Sequence, residues 1–379
     1  MRVTFVLPNA NLAGGVRVVA IYASHLKRQG HEVVVVSTQR RDVPLSGKIS
    51  SLLRGKGWPR LFPPGPSHLD GTGIEHRKLE TYRPVTDADV PDADVIVATW
   101  WETAEWVAAL SPSKGAKVHF IQHDETHQHQ PVKRVEATWS LRTHKIVVAK
   151  WLEELGRQRY RCDDITLVSN GVDLQQFHAP PRGKQRRPTV GLMYSSTRFK
   201  GVDIALEAFR QAARNIPGLR LVCFGEFPPR PELPLPEDAV YHQKPAQQAL
   251  REIYAACDAW LFASRSEGFG LPILESMACR TPVIGTPAGA APELIGEGGG
   301  VLVKPEDPHD MACAIERVSR MEDEPWRAMS EQAQRTASKH GWDDAAQSFE
   351  QTLMRVASRS GEHAAARGGM SQGVQDPAC

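Results

Sequence analysis

Between His31 and Ser37 the sequence reads HEVVVVS, and the valines Val33–Val36 leave no polar face. A strand apolar on both sides is buried on both sides, the situation of a strand inside a parallel sheet covered by helices. What precedes it agrees. Arg2–Leu7 (RVTFVL) is a β-type run and Ala13-Gly14-Gly15 a glycine-bearing turn. From Val16 to Arg28 the residues Val18, Val19, Tyr22, Ala23 and Leu26 trace a helical stripe, which Gly30 closes. Strand, turn, helix, strand is a βαβ unit. Residues Gln39 to Arg83 are less regular, but strand-like runs return at Val95–Thr99, Val118–Gln122, Ile146–Ala149 and Thr166–Val168, with a helical stretch at Thr103–Leu110. The first half is therefore a doubly wound α/β sheet.

A chain of 379 residues exceeds the roughly 250–300 that one hydrophobic core supports, so a second domain is expected. The composition breaks at 176–188, where Ala179-Pro180-Pro181-Arg182-Gly183-Lys184 and Arg186-Arg187-Pro188 read as a linker. Beyond it the alternation restarts. Strands are predicted at Thr189–Met193, Arg220–Phe224, Val240–Tyr241, Ala259–Ala263, Pro282–Gly285 and Gly300–Val303, and helices at Val202–Asn215, Gln247–Ala256, Pro272–Cys279 and Asp307–Met321. The expected domains are 1–175 and 189–340, followed by a helix over 341–358 and a Gly-, Ser- and Ala-rich tail, 359–379, predicted to be disordered.

With 46 Lys+Arg against 44 Asp+Glu the net charge is only +2, which excludes binding of nucleic acid by bulk charge. No run approaches the roughly 18 consecutive apolar residues of a membrane span, and the start of the chain reads as a strand rather than a signal peptide. Six scattered cysteines without a CxxC pair read as reduced, and together these features predict a cytoplasmic protein. The basic, partly apolar stretch Lys48–Arg60, with Leu52, Leu53, Arg54, Lys56 and Trp58, fits two roles. It reads either as an acceptor-side loop or as a peripheral contact with the inner face of a membrane or a lipid-linked acceptor.

Open α/β sheets bind ligands outside the C-terminal ends of their strands, and three groups of residues fall there. Gly14-Gly15 follows the first strand, where it serves as a plain turn or as a close approach to an anion at a helix start. Arg198, Lys200 and Gly201 follow the strand that opens the second domain, as a solvated basic loop or a phosphate contact. The third group is the most specific. Ser264-Arg265-Ser266-Glu267-Gly268-Phe269-Gly270-Leu271-Pro272 leads into the helix Ile273-Leu274-Glu275-Ser276-Met277-Ala278. Pro272 suits a first helical turn, the glycines expose amides, and Glu267 and Glu275 can accept hydrogen bonds from a hydroxyl-rich ligand.

The context EGFGLPILE, with Glu267-x7-Glu275, resembles the paired-glutamate signature of retaining GT-B glycosyltransferases of family 4. Gly14-Gly15-Val16, Ser169-Asn170-Gly171-Val172-Asp173, Lys200-Gly201-Val202-Asp203, the run from Thr281 through Gly289 to Glu293, and the late Trp342 helix match as well. The resemblance implies two Rossmann-like α/β domains facing each other across a cleft, with the 341–358 helix packed back on the first. It implies a nucleotide-diphosphate-sugar donor, which is a substrate and not a cofactor, and a sugar, lipid-linked or small-molecule acceptor. Carried over, Glu275 holds the ribose hydroxyls and Glu267 the transferred sugar. Backbone groups of Gly268, Phe269, Gly270 and Leu271 meet sugar and pyrophosphate, Lys200 neutralises the diphosphate, and Gly14 and Gly15 let a first-domain loop approach it. His123 matches a family histidine near the reacting sugar, and with Glu267 it forms the expected catalytic pair. One departure concerns the arginine that often follows the glycine ending the family's corresponding strand. Here Gly191 is followed by Leu192 and Met193, leaving Arg198 as the candidate.

Rival signals are weaker. Asp87-Ala88-Asp89 and Asp92-Ala93-Asp94 match a metal-binding DxD pattern but precede a strand, so they read as turns. His119, His123, His127 and His129 are dense but lack the ligand set of a zinc site, and no metal is expected. Gly296-x-Gly298-Gly299-Gly300 precedes a strand, the reverse of the order in a dinucleotide loop. Two other functions fit the same fold, a non-catalytic sugar-nucleotide-binding subunit of a glycan-assembly complex and a sugar-nucleotide epimerase or phosphorylase-like enzyme.

Overall fold

The computed structural model describes residues 1–39, 65–126 and 130–370. The stretch Lys48–Arg60, His127 and His129 lie outside the described residues. The chain gathers into two units: Met1–Val147, Glu153–Val168 and Ala346–Cys379 make the first, Val148–Leu152 and Ser169–Ala345 the second.

The first unit contains β1 (Arg2–Leu7), α1 (Gly14–Arg28), β2 (Glu32–Ser37), β3 (Glu75–Lys78), β4 (Val95–Ala98), α2 (Trp101–Ala109), β5 (Ala116–Ile121), α3 (Val132–Thr138), β6 (His144–Val147) and β7 (Ile165–Leu167). Its strands run parallel in the order β3-β2-β1-β4-β5-β6-β7. The β2 valines pair with β1, Phe5 opposite Val35, and Phe5, Val35, Val36 and Val97 have no exposed surface. The order reverses between β1 and β4, which puts the ligand end of this sheet at the residues following those two strands. The edge strand β3, EHRK, was not expected. Its charged side chains hide its β character from a hydrophobic pattern and blunt an open edge.

The second unit contains β8 (Thr189–Met193), α4 (Val202–Asn215), β9 (Arg220–Gly225), β10 (Val240–Gln243), α5 (Leu250–Ala255), β11 (Ala259–Phe262), α6 (Leu271–Ala278), β12 (Val283–Gly285), β13 (Gly300–Leu302), α7 (Pro308–Arg320) and α8 (Asp323–Ser338). These strands are also parallel, in the order β10-β9-β8-β11-β12-β13, with the reversal between β8 and β11. Helix α8 has no counterpart in the sequence reading. Apart from Trp326 its buried face is Ser330, Ala333, Thr336 and Ala337, too small and polar to register as an apolar stripe.

Two expectations need correction. Residues 176–188 are not a free linker but are packed into the second unit. Phe177 is fully buried against the Tyr254 ring at 6.0 Å. The Arg182 guanidinium lies 4.7 Å over Trp326 and donates to Cys257 O and Thr281 Oγ1, and Lys184 Nζ donates to the carbonyls of Ser319 and Met321 at 2.6 Å each. Arginine and lysine signal a linker in composition, yet here they satisfy backbone carbonyls at helix ends. The tail also departs from expectation, because the last helix, α9, runs from Trp342 to Met370. The alanines and charged residues from Glu362 to Arg367 are good helix formers.

Helix α9 joins the first unit through Phe349, which is fully buried, stacks on Tyr22 at 4.4 Å and meets Phe120 edge-on at 5.3 Å. Glu350, one residue on, accepts from His31 Nε2 at 2.7 Å and pairs with His25 Nε2 at 3.2 Å.

Candidate active site

In the second unit the two strands flanking the reversal, β8 and β11, end in the two groups singled out by sequence. After β11 the chain runs through Ser264 and Glu267 to Gly270, whose φ of +95° turns it into α6. A Cβ on Gly270 would also press on the Phe262 ring at 2.9 Å. Pro272 occupies the first turn, where its missing N–H costs nothing. After β8, Arg198–Lys200 form a single helical turn that Gly201 ends at φ +63°. A Cβ on Gly201 would stand 1.8 Å from Ala263 O, so only glycine lets the Lys200 turn lie against the end of β11.

That close approach joins Lys200 to Glu267. Lys200 Nζ donates to Glu267 Oε1 at 2.6 Å, and Ser264 Oγ donates to the same oxygen at 3.0 Å. The pair is mostly enclosed, with side chains 23% and 11% exposed. Arg265 locks the two loops. It donates to Arg198 O at 2.7 Å and pairs with both oxygens of Asp203 and with Glu306. Those bonds, Asp203 first, hold the guanidinium charged well above its ordinary range. Arg198 itself is exposed, and its backbone carbonyl is what the structure engages.

Glu275, on α6, is 6% exposed and accepts from Tyr254 Oη at 2.8 Å. Phe269 is buried, and its carbonyl accepts from Ala290 N at 2.9 Å. Gly289 permits this contact, since a Cβ there would lie 2.6 Å from Phe269 O and 2.9 Å from Glu267 Cβ. Gly268 O accepts from the Trp151 indole at 2.8 Å. At the start of α6, Pro272 has no N–H and Ile273 N donates to Gly270 O at 2.9 Å, so the Leu271 amide is the donor this helix start presents. The structure thus brings Lys200, Glu267, Gly268, Phe269, Gly270, Leu271 and Glu275 onto one loop-and-helix framework. Ser264, Arg265, Tyr254, Trp151 and Gly289 escaped sequence reasoning as functional partners. For Tyr254 and Trp151 no local signal exists, because their partners lie far along the chain.

In the first unit the ligand end carries Gly14, Gly15 and His123. Gln122 Nε2 donates to Gly15 O at 3.2 Å, bringing the residue before His123 to the glycine turn. The His123 Nδ1 lies 2.6 Å from Asp124 O. Nearby Glu125 is buried and accepts from Trp101 N at 2.8 Å. Burial first, then the charges of Asp124 and Glu102, pushes its carboxyl well above the usual range. His119 sits within the sheet core, where burial drives its imidazole down to about 3.

The DxD carboxylates are already committed, at the N-terminal side of β4. Asp89 pairs with Arg83 at 2.6 Å, Asp94 accepts from Arg2 N at 2.7 Å, Asp92 pairs with Lys114 at 2.9 Å, and Asp87 accepts from Ser111 N at 3.0 Å. Among the described residues no group of three His, Cys, Asp or Glu could hold a metal, and no helix is long and apolar enough to cross a membrane.

Comparison with known proteins identifies the family and the fold. The family model described as Glycosyltransferase Family 4 matches residues 12–176, and the one described as Glycosyl transferases group 1 matches residues 187–320. The chain belongs to the family 4, group 1 glycosyltransferases. Relatives of this family 4 chain include the D-inositol 3-phosphate glycosyltransferase of Thermobispora bispora, 26% identical over 83% of this chain and 86% of that protein. The same-named protein of Saccharomonospora viridis is 32% identical over 48% of this chain, and there the match spans only about half, 47%, of the relative's length. Among solved structures, sucrose-phosphate synthase from Thermosynechococcus elongatus superposes with a TM-score of 0.71 at 18% identity, covering 95% of this chain and all (100%) of that one. Anabaena HepE in complex with UDP-glucose gives 0.70 at 17%, covering 94% and 100%. These likenesses establish the GT-B fold for the family 4 chain.

Proposed function

We propose that this chain moves a hexose-like sugar from a nucleoside-diphosphate sugar to a hydroxyl acceptor, with retention of configuration and without a metal ion. The observation that carries the reading is the enclosed Lys200–Glu267 pair beside the start of α6, at the ligand end of the second sheet. A donor is the ligand that matches both partners. Its diphosphate oxygens accept from Lys200 and the Leu271 amide that opens α6, while its sugar hydroxyls donate to Glu267. As the sugar leaves, negative charge grows on the diphosphate, and donors already aimed there stabilise that charge without reorganising. Glu275, held by the Tyr254 hydroxyl, is the carboxylate assigned to the ribose hydroxyls. The acceptor hydroxyl attacks the anomeric carbon on the face the diphosphate leaves, and the leaving phosphate oxygen takes its proton. Gly14 and Gly15 are assigned to donor binding and His123 to catalysis, the roles the family resemblance implies. The commitment of all four DxD carboxylates to internal partners supports a metal-free donor site. The solved complex of HepE with UDP-glucose and the relatives named D-inositol 3-phosphate glycosyltransferase support the donor and acceptor classes.

The test separates the two glutamates. Glu275→Gln weakens nucleoside diphosphate binding and raises KM for the donor, because ribose contacts are alike in ground and transition states. Glu267→Gln lowers kcat with little change in nucleotide affinity, because it misplaces the reacting sugar. Calorimetry with UDP, GDP, ADP and dTDP, alongside turnover of the matching sugar donors, reads both. The reverse pattern refutes the assignment, and binding without any transfer or hydrolysis favours the non-catalytic subunit.

A further inference from the structure

Three loops of the second unit, those that follow β8, β11 and β13, are bound together by one side chain. Arg265 carries its N–H groups in a planar fork of five donors, and every one is committed. Nη1 donates to Arg198 O and to Asp203 Oδ1 at 2.7 Å each. Nη2 donates to Asp203 Oδ2 at 2.7 Å and to Glu306 Oε2 at 3.1 Å, and Nε pairs with Glu306 Oε1. Two carboxylates thus grip the fork along two edges, which fixes its plane and leaves a single N–H to reach Arg198 O. The Arg265 backbone adds a second hold, its N–H donating to Phe199 O at 2.8 Å. The two carbonyls that precede Lys200 are therefore held by one residue.

The two carboxylates are not equivalent. Asp203 lies in the first turn of α4, where the helix dipole favours a carboxylate whatever else it does. Glu306 lies in the turn between β13 and α7 with φ +57°, a region that glycine enters freely and an L side chain enters at a cost. Its side chain is 56% exposed, against 19% for Arg265. A solvent-facing glutamate in a left-handed turn gains little from its own surroundings. What this one supplies is the second edge of the fork. Without it the guanidinium keeps Asp203 but swings about that pairing, and its grip on Arg198 O, hence on the Lys200 turn, loosens.

We infer that Glu306 is a positioning residue for sugar transfer, acting through Arg265 to set where the Lys200 ammonium stands as the diphosphate leaves. The inference rests on the donor reading above. Ground-state binding tolerates a small displacement of the turn, because the flexible lysine stem follows the phosphate. Charge that appears only in the transition state is stabilised by donors already in place. The loss of Glu306 therefore falls on kcat and spares the affinity for nucleotide.

Hydrolysis of UDP-, GDP-, ADP- and dTDP-glucose by the full chain and its Glu306→Gly and Glu306→Asn variants tests this. Glycine relieves the left-handed conformation and asparagine tolerates it, so both variants should melt close to the parent. Neither can replace the lost pairing, since one has no side chain and the other is uncharged and a methylene shorter. With the donor that the parent turns over best, each should lower kcat about tenfold, while KM and the calorimetric affinity for the matching nucleoside diphosphate stay within about twofold. In a Lys200→Met background the same substitutions should cost nothing further. Unchanged kcat, losses that multiply with that of Lys200→Met, or a fall in kcat matched by an equal loss of nucleotide affinity overturns the positioning role while the donor reading stands. If the parent turns over none of the four donors, the donor reading falls and this role with it.

Discussion

Lys200 and Glu267 are bound to each other before any ligand arrives, and that pairing can be measured. Lys200→Met keeps the aliphatic stem and removes the charge, whereas Glu267→Gln keeps the shape and the oxygen that accepts from Ser264. Exposed ion pairs contribute about 0–1 kcal/mol, and breaking a fully buried pair costs about 3–5 kcal/mol. At 2.6 Å, with side chains 23% and 11% exposed, this pair falls between those limits, so the coupling energy in a double-mutant cycle should be about 2 kcal/mol. In a unit of this size each kcal/mol moves the melting temperature by about 2–4 °C. Because two units need not melt together, scanning calorimetry should show the shift in one transition, that of the second unit. Additivity of the two single variants within about 0.5 kcal/mol would refute the coupling. The pairing also has a sign in ligand binding. A diphosphate must share the ammonium with Glu267, so Glu267→Gln should hold UDP at least as tightly as the parent, while Lys200→Met weakens it. Equal weakening by both variants would show that the nucleotide needs the intact pair and that the carboxylate does not compete for the ammonium.

Gly201→Ala puts a methyl 1.8 Å from Ala263 O at a φ of +63°, combining overpacking with left-handed strain for about 3 kcal/mol or more of destabilisation, and it displaces Lys200; a melt and UDP calorimetry should both register it. Glu125 has its carboxyl pKa raised in the folded chain by burial first, then by Asp124 and Glu102. Stability therefore falls as pH rises from about 4.3 through the folded value, and Glu125→Gln should raise the melting temperature at pH 8 more than at pH 4.5. An equal effect at both pH values would contradict the raised carboxyl. Transfer should persist in EDTA, given the internal pairing of Asp87, Asp89, Asp92 and Asp94, and loss of activity restored by Mn²⁺ would count against the metal-free donor site.

What the sequence made legible follows a physical division. The β2 valines announce a buried parallel strand because burial on both faces removes every polar position. The EGFGLPILE run announces a loop turning into a helix because Gly270 and Pro272 have conformations that few other places use. Strand β3 escaped because an edge may be charged, and α8 because a helix packed on small residues needs no apolar stripe. Arg182 and Lys184 were misread for a related reason. Their partners are carbonyls and a tryptophan up to well over a hundred residues away, and composition cannot register a distant acceptor. The same limit hid the ion pair at the heart of the site. Lys200 and Glu267 were each identified, but the Gly201 approach to Ala263 that brings them together is a property of the folded backbone.

The place of Phe349 sets an order on how the molecule is made. Its ring fills the space among Tyr22, Phe120 and Phe5, residues from the opening third of the chain, yet it leaves the ribosome only after the whole of the second unit. Domains tend to fold as they emerge, so the second unit can finish while the first still lacks a buried aromatic whose loss costs about 3–5 kcal/mol. A chain broken off before Phe349 would therefore carry a complete second unit and an unfinished first one. The last helix acts as a completion signal, leaving prematurely ended copies open to the proteases that remove unfolded chains.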